Sequence, residues 1–127
     1  MNQKMRILIV DDSLIIRKIL QKKLTDYYNA EIVGLAGNGR VALEMFDKTN
    51  PDYVTLDITM PAMDGLEVLQ EMLKRKPSVN VIIVTALADK DTALQAIEMG
   101  AKCYVAKPLT REKLQMAMDQ FIKQEMN

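Results

Sequence analysis

Apolar residues in this chain follow two alternating patterns, short continuous runs and longer stripes at helical spacing. Continuous apolar runs are typical of strands that are covered on both faces of a sheet. These runs predict strands over 5–10, 30–36, 53–57, 79–85 and 102–106. Polar or glycine-containing segments follow each run before the next stripe begins, so the pattern predicts that strands and helices alternate along the chain.

The helical stripes lie between and after these strands. Ser13 is a suitable N-cap for the first helix, and Thr110 for the last. The predicted buried face of the first helix consists of Leu14, Ile15, Ile16, Ile19, Leu20 and Leu24. The fourth helix is predicted over 89–99, with Gly100 just beyond its end. Its apolar face is rich in small residues, which predicts weak anchoring to the sheet; these residues are Ala93, Leu94, Ala96 and Ile97.

Five strands that alternate with five helices predict an α/β fold with a parallel sheet and helices on both faces. Right-handed crossover connections leave few topologies for such a chain. Its 127 residues are enough for one domain with a sizeable core, and neither an internal repeat nor a linker divides them. We therefore predict a five-stranded, doubly wound sandwich that forms a single domain over 1–127.

Composition narrows the possible functions. Lys and Arg together number 17, as do Asp and Glu, so bulk charge supports neither nucleic-acid binding nor membrane binding. The longest apolar runs fall short of the roughly 20 residues that span a bilayer. A single cysteine, Cys103, excludes an internal disulfide and predicts a cytoplasmic protein. There is no histidine, so Ser-His or Cys-His catalysis and His-ligated metal sites are excluded.

Polar residues stand where four of the predicted strands end, namely Asp11-Asp12, Asp57, Thr85 and Lys107. Ligands of open parallel sheets bind at the carboxyl ends of the strands, so we expect these groups to lie in one cleft. Three carboxylates that lie close together repel one another and need a cation, and an all-oxygen site suits Mg²⁺. Lys107 and Thr85 are suited to phosphoryl oxygens, and Asp57 could attack phosphorus to form an acyl phosphate.

The sequence resembles the receiver domains of bacterial two-component response regulators, of the single-domain, CheY-like kind. The resemblance covers essentially the whole chain and rests on motifs in the expected order. They are Ile7-Leu8-Ile9-Val10-Asp11-Asp12-Ser13, Leu56-Asp57-Ile58-Thr59-Met60-Pro61, Met63-Asp64-Gly65, Val84-Thr85-Ala86, Gly100-Ala101 and Val105-Ala106-Lys107-Pro108. The resemblance implies a flavodoxin-like sheet with strand order 2-1-3-4-5.

It also implies roles for the residues that match the motifs. Asp57 would be the phosphoacceptor, charged by a phosphohistidine on a histidine kinase or a histidine phosphotransfer protein. Asp12 would bind Mg²⁺ directly and Asp11 directly or through water, with Asp57 and the Thr59 backbone carbonyl completing the protein ligands. Lys107 and Thr85 would hold the phosphoryl oxygens.

Further positions would transmit or tune the signal. The resemblance implies a cis Lys107–Pro108 bond and makes Tyr104 a switch residue that turns inward when Thr85 is drawn to the phosphate. The fourth helix, fifth strand and fifth helix would then present a changed face to a downstream protein. Thr59 and Leu87 occupy positions that tune dephosphorylation, with or without a phosphatase. Leu87 has no polar group to orient water, which predicts slow self-hydrolysis.

Two alternatives share part of this chemistry. Phosphatases of the haloacid-dehalogenase type also use an Asp nucleophile and Mg²⁺, but they carry an acidic residue where this chain has Thr59, and the chain leaves no room for a cap domain. The chain could also be the receiver piece of a longer DNA-binding regulator. The polar segment 123–127 soon after the last helix favours a complete single-domain protein. We expect no direct contact with nucleic acid and no insertion into a membrane.

Overall fold

The structure is a computed structural model that describes residues 4–60, 65–86 and 89–126, without the side chains of residues 27 and 121–126. Strands and helices alternate throughout these ranges. The strands are β1 (Met5–Val10), β2 (Ala30–Ala36), β3 (Tyr53–Asp57), β4 (Asn80–Ala86) and β5 (Cys103–Lys107). The helices are α1 (Leu14–Tyr27), α2 (Gly39–Thr49), α3 (Gly65–Arg75), α4 (Lys90–Met99) and α5 (Arg111–Met126).

The five strands form one sheet in the order β2-β1-β3-β4-β5, and every neighbouring pair is parallel. Buried side chains of α1 and α5 pack on one face of this sheet, and those of α2, α3 and α4 pack on the other. The predicted doubly wound fold and its strand order are therefore confirmed. Because β1 and β3 are central, the ends of these two strands lie side by side at one edge.

Strands β4 and β5 each begin and end one residue later than the apolar runs 79–85 and 102–106 predicted. Backbone pairing with the neighbouring strand, and not apolar character, determines where a strand begins and ends. The last rung of their ladder joins Ala86 to Lys107, so Lys107 belongs to the strand and does not merely follow it. The predicted caps are confirmed. The Ile16 amide donates to Ser13 Oγ at 3.2 Å, and the Lys113 amide donates to Thr110 Oγ1 at 3.1 Å.

The predicted buried face of α1 was too wide. Leu20 and Leu24 are buried, but Leu14 is 55% exposed, Ile15 69% and Ile19 37%. Ile16, Leu20 and Leu24 follow one another at spacings of four, so one narrow stripe faces the sheet. Leu14, Ile15 and Ile19 lie to the side of this stripe. Leu94, expected on the buried face of α4, is likewise 44% exposed. No helix in the described part of the chain is long and apolar enough to cross a bilayer.

Thr55 in β3 offers a test of core energetics. Its side chain is 1% exposed, and its hydroxyl has no hydrogen-bond partner among the described residues. We expect Thr55→Val to raise the free energy of unfolding by roughly 1 kcal/mol, because valine keeps the β-branched shape and removes an unpaired buried hydroxyl. Urea denaturation measures this.

Thr25→Val is the matched control for Thr55→Val. Thr25 is exposed on α1, and its hydroxyl donates to the carbonyls of Gln21 and Lys22. The same substitution there removes no unpaired buried group and is expected to bring no gain. A lower denaturation midpoint for Thr55→Val would contradict the prediction.

Candidate functional site

Asp11 directly follows β1 and is completely buried. Its amide donates to the Ala36 carbonyl of β2 at 3.0 Å, which extends the sheet pairing by one residue. The Ser13 amide donates to Asp11 Oδ1 at 2.9 Å. Oδ2 lies 3.3 Å from the Lys107 ammonium but accepts no hydrogen bond from the described residues. One buried carboxylate oxygen of Asp11 is thus left with an ion-pair contact alone.

Asp57 is the last residue of β3 and is 1% exposed. Its Oδ1 accepts two hydrogen bonds from Thr59, from the amide at 2.8 Å and from the hydroxyl at 2.6 Å. Its Oδ2 accepts a hydrogen bond from the Lys107 ammonium at 3.3 Å. An aspartate that bonds the amide two residues later forms a compact Asx turn, which ends the strand and holds the carboxylate at the sheet edge.

Asp12 completes an acidic cluster with these two residues. Asp12 is exposed, and carboxylate oxygens of Asp11, Asp12 and Asp57 lie within 4.8 Å of one another. Hard cations prefer such carboxylate oxygens, and Mg²⁺ binds one or two carboxylates together with water. Asp11 Oδ2 supports the same conclusion, since this buried anionic oxygen accepts no hydrogen bond from the described residues and has only the ion-pair contact with Lys107. The cluster therefore fits a small divalent cation.

Lys107 lies between the two buried carboxylates, 3.3 Å from Asp57 Oδ2 and 3.3 Å from Asp11 Oδ2. It comes from the end of β5, and the Lys107–Pro108 peptide bond is cis, as the resemblance implied. Burial acts to lower the pKa of Lys107, but attraction by Asp57 and Asp11 outweighs it, so the pKa is raised. Lys107 therefore stays protonated and supplies a permanent positive charge.

The surroundings of Asp11 disfavour its charged form, whereas those of Lys107 favour the charged form. Burial raises the pKa of its carboxyl group, and repulsion by Asp57 adds to that effect. The Ser13 amide and the Lys107 ammonium act in the lowering direction without cancelling it. A raised carboxyl pKa means that the charged form of Asp11 is held in the fold at a free-energy cost. That cost is what a bound cation would offset.

Thr85 and Tyr104 occupy the neighbouring strands β4 and β5. Thr85 is 1% exposed, and its hydroxyl donates to the Ala86 carbonyl at 3.3 Å. Tyr104 pairs with Ile83, which is two residues before Thr85, so the two side chains lie on the same face of the sheet. That face is covered by α4, and Tyr104 packs against the hydrophobic core on that face of the sheet. A movement of Thr85 could therefore reach Tyr104 through adjacent packing.

Tyr104 also borders a groove of about 220 Å³ between β5 and α5. Cys103, Lys113 and Met116 line this groove as well, and Met116 is 70% exposed. Burial raises the pKa of the Cys103 thiol to about 11, so the thiol is uncharged at neutral pH and acts as a small apolar group. The groove is open and partly apolar, which suits contact with another protein.

The structure thus brings together Asp11, Asp12, Asp57 and Lys107, as their positions at strand ends predicted. Sequence reasoning missed the hydroxyl bond from Thr59 to Asp57, although an Asp-x-Thr spacing after a strand is a recognisable turn signal. It also missed Arg17, which donates to the Asp11 carbonyl at 2.6 Å and had no distinguishing signal on its helix. Leu87 lies outside the described residues.

Asp11→Asn is expected to stabilise the metal-free protein at neutral pH by roughly 1 to 3 kcal/mol, because it removes an incompletely compensated buried charge. Asparagine can still accept the Ser13 amide. A carboxyl whose pKa is raised by folding contributes most stability below its unfolded value of 3.8 and loses that contribution as pH rises through the folded pKa. The advantage of the variant should therefore be larger at pH 7.5 than at a pH near the unfolded value of 3.8.

Urea denaturation in the presence of a chelator measures the effect of Asp11→Asn at both pH values. Asp26→Asn is the control, since Asp26 is half exposed and pairs with Lys22 on the surface of α1. Surface pairs contribute little, so the control should change stability by less than about 1 kcal/mol. Lower stability of Asp11→Asn than of the parent at neutral pH would contradict the electrostatic interpretation of the site.

Comparison with known proteins supports one family. The model of the response regulator receiver domain matches residues 7–119. Chemotaxis protein CheY of Listeria monocytogenes is 37% identical over 119 residues, covering 94% of this chain and 99% of that protein. In the crystal structure of the CheX-CheY-BeF3-Mg complex from Borrelia burgdorferi, a similar chain has a TM-score of 0.84 at 33% identity, with 92% of this chain and 88% of that one covered.

Longer proteins contain a similar segment. The protein-glutamate methylesterase/protein-glutamine glutaminase 2 of Carboxydothermus hydrogenoformans is 42% identical over 107 residues, which cover 83% of this chain but 30% of that protein. The similarity to the CheY proteins, in contrast, runs through nearly the whole length of both chains. The matched family is one of signalling modules and not of haloacid-dehalogenase phosphatases. The chain therefore belongs to the response regulator receiver domain family of two-component systems.

Proposed function

We propose that this chain, as a single receiver domain over 1–127, is a phosphorylation-controlled signalling module. In this proposal Asp57 accepts a phosphoryl group from a phosphohistidine on a histidine kinase or a histidine phosphotransfer protein. The observation that carries the proposal is the position of the buried Asp57 carboxylate, 3.3 Å from a lysine and beside two further carboxylates at the carboxyl edge of the sheet. These 127 residues contain no histidine, so they cannot themselves supply the phosphohistidine donor.

The chain's own residues account for the transfer. A carboxylate oxygen of Asp57 attacks phosphorus, the phosphorus–nitrogen bond breaks, and the imidazole nitrogen keeps the electron pair. Lys107 faces the negative charge that arrives with the phosphoryl group, and charge-assisted hydrogen bonds of this kind are the strong ones. Thr59 holds Oδ1 through two bonds and so orients the carboxylate before transfer. The Thr85 hydroxyl would donate a hydrogen bond to a phosphoryl oxygen once it leaves the Ala86 carbonyl.

The proposal includes Mg²⁺ as a cofactor. Asp12, Asp11 and Asp57 would hold it through their carboxylates, together with the backbone carbonyl of Thr59. The mutual approach of the three carboxylates and the unbonded Asp11 Oδ2 support this ligand set. Bound Mg²⁺ supplies positive charge that offsets the phosphoryl oxygens and lowers repulsion within the cluster.

Output would pass through the face formed by α4, β5 and α5. Thr85 and Tyr104 lie on the sheet face under α4, and the open groove beside β5 borders the same surface. The fully buried residues of α4 are two alanines, Ala93 and Ala96, while Ile97 and Met99 pack against the core but are only partly buried, so modest apolar area holds this helix in place. Phosphorylation would shift an equilibrium between two arrangements of this face. The relatives named CheY favour a chemotaxis-type output. The Borrelia complex with CheX favours a protein partner, and the proposal includes a phosphatase among such partners.

A chemical mapping experiment tests the proposal. Wild-type protein is incubated with acetyl phosphate and Mg²⁺, and the intact mass is then measured. Borohydride converts an aspartyl phosphate to homoserine, so peptide mapping after reduction identifies the modified residue. We expect one phosphoryl group per chain and reduction at Asp57 alone. Labelling at another residue, or no labelling with either acetyl phosphate or a histidine kinase, would refute the proposal.

The lifetime of the phosphorylated form stays a prediction of the sequence at Leu87. An apolar residue there cannot orient attacking water, so purified phosphoprotein should decay slowly, and Leu87→Glu should accelerate decay several-fold. Leu94→Glu on α4 is the control, since Leu94 is 44% exposed and the same charge is introduced at a distance from the acidic cluster. Rapid decay of the parent without a phosphatase, or an unchanged rate in Leu87→Glu, would contradict this prediction.

A further inference from the structure

Arg17 lies near the acidic cluster but has no role in the proposed reaction. It belongs to the first turn of α1, where its amide donates to the Ser13 carbonyl at 3.0 Å. Its guanidinium turns back toward β1 and donates to the Asp11 carbonyl at 2.6 Å, across a sequence separation of six residues. The side chain is half-buried, although arginine usually keeps its guanidinium in solvent.

The hydrogen bond from Arg17 to the Asp11 carbonyl links α1 to the short segment that contains Asp11 and Asp12. Asp11, Asp12 and Ser13 connect β1 to α1, and bonds from the first turn of the helix reach both ends of this segment. The Ile16 amide donates to Ser13 Oγ, and Arg17 donates to the Asp11 carbonyl. Between them lies Asp12, whose exposed carboxylate receives no hydrogen bond from the described residues. The direction of the Asp12 side chain therefore depends on the backbone that Arg17 holds.

Gly37 leaves the room that the guanidinium occupies. A Cβ atom at this position, just after β2, would lie 3.0 Å from Arg17 Nη1 and 3.6 Å from Cζ. That approach is tighter than nine in ten real Cβ contacts, so a side chain at 37 would require the Arg17 guanidinium to shift by a few tenths of an ångström. The guanidinium thus fits between the loops after β1 and after β2.

The partner of Arg17 is a backbone oxygen and not a carboxylate. Arginine beside carboxylates would ordinarily form a bidentate ion pair and so compete with a cation for their oxygens. Here the donor engages the main chain and does not occupy the carboxylate oxygens of Asp11 or Asp12. An arginine placed in this way supports the geometry of the cluster even though its charge disfavours a cation.

We propose that Arg17, in the space left by Gly37, is a positioning residue that sets the direction of Asp11 and Asp12 and thereby the affinity of the acidic cluster for a divalent cation. This inference rests on the proposed function, in which these carboxylates hold Mg²⁺. Groups outside the ligand shell that orient metal ligands commonly change affinity by 10- to 100-fold when removed.

The sign of the effect separates positioning from charge. Removing a positive charge near a cation site strengthens cation binding by Coulomb's law, whereas loss of positioning weakens it. We expect Arg17→Met to raise the Mg²⁺ dissociation constant about 10-fold. Lys18→Met removes the same charge from the next residue of α1, which is exposed and makes no hydrogen bond or ion pair within the described residues. It should leave Mg²⁺ affinity unchanged or slightly higher.

Mg²⁺ titrations of the full chain, followed by backbone amide NMR shifts, measure the affinities. Arg17→Lys keeps a donor for the Asp11 carbonyl and should bind Mg²⁺ within about threefold of the parental affinity. Gly37→Ala keeps the charge of Arg17 but crowds its guanidinium, so it should weaken Mg²⁺ binding by about threefold. These two variants decide the matter if Arg17→Met does not fold. Thermal unfolding without Mg²⁺ reports any general loss of stability, which by itself would not change the dissociation constant of the folded protein.

Three outcomes would overturn the inference, and they can be distinguished from one another. If Asp12→Asn abolishes Mg²⁺ binding but Arg17→Met and Gly37→Ala bind like the parent, the cation site stands and the positioning role is wrong. If Asp12→Asn also binds like the parent, the cation ligands themselves are wrong and the inference fails with them. Weaker binding in Lys18→Met equal to that in Arg17→Met would likewise refute a role specific to the Asp11 carbonyl contact.

Discussion

Asp57→Asn is expected to abolish phosphoryl transfer to this chain. The amide has nearly the shape of the carboxylate, and its oxygen can still accept the two hydrogen bonds from Thr59. A neutral amide is not a nucleophile toward phosphorus, and it cannot form an acyl phosphate. Labelling by acetyl phosphate or by a histidine kinase, measured as the fraction of shifted protein on a phosphate-affinity gel, should therefore fall to background.

Asp52→Asn is the matched control for Asp57→Asn. Asp52 immediately precedes β3, at the opposite end of the same strand, and its carboxylate lies 3.2 Å from Lys76. The two substitutions make the same chemical change to two lysine-paired carboxylates, which differ in their position along the strand and in burial. We expect normal labelling of Asp52→Asn. Full-stoichiometry labelling of Asp57→Asn would show that the phosphoacceptor has been assigned wrongly.

Lys107→Met is expected to slow phosphoryl transfer by about 100-fold, the usual effect of removing one donor aimed at developing negative charge. Methionine preserves much of the apolar stem but leaves the three clustered carboxylates without the ammonium that lies 3.3 Å from two of them. An incoming phosphoryl group would then meet uncompensated negative charge. Single-turnover labelling at saturating Mg²⁺ measures the rate.

The same variant should also lose stability, by up to about 3 kcal/mol, because removing one partner leaves buried charges unpaired. The loss is limited by the partial exposure of Lys107, whose side chain is 25% accessible. Combining it with Asp11→Asn should recover part of the loss, since one unpaired carboxylate then disappears. Lys102→Met is the control, because Lys102 precedes the same strand at its other end and is exposed. Labelling of Lys107→Met at the parental rate would contradict its proposed role.

The sequence by itself determined the order of elements and the edge on which the chemistry lies. Apolar runs such as 5–10 and 53–57 are typical of strands in a parallel sheet that is covered on both faces, and the carboxyl ends of parallel strands meet at one edge. Asp11, Asp57 and Lys107 do meet there, with the lysine 3.3 Å from both carboxylates. This prediction succeeded because it depends on strand direction, which follows from the alternation of strands and helices.

Only the tertiary structure decided which side chains touch and which apolar residues remain exposed. Ile15 and Leu20 are equally apolar in sequence, yet Ile15 is 69% exposed and Leu20 is 1% exposed, because the docking angle of α1 selects a stripe narrower than its apolar surface. Arg17 resembles any helical arginine until the fold places its guanidinium against the Asp11 carbonyl and Gly37. Periodicity specifies a direction around a helix, but contacts across loops depend on packing in three dimensions, which a one-dimensional pattern does not contain.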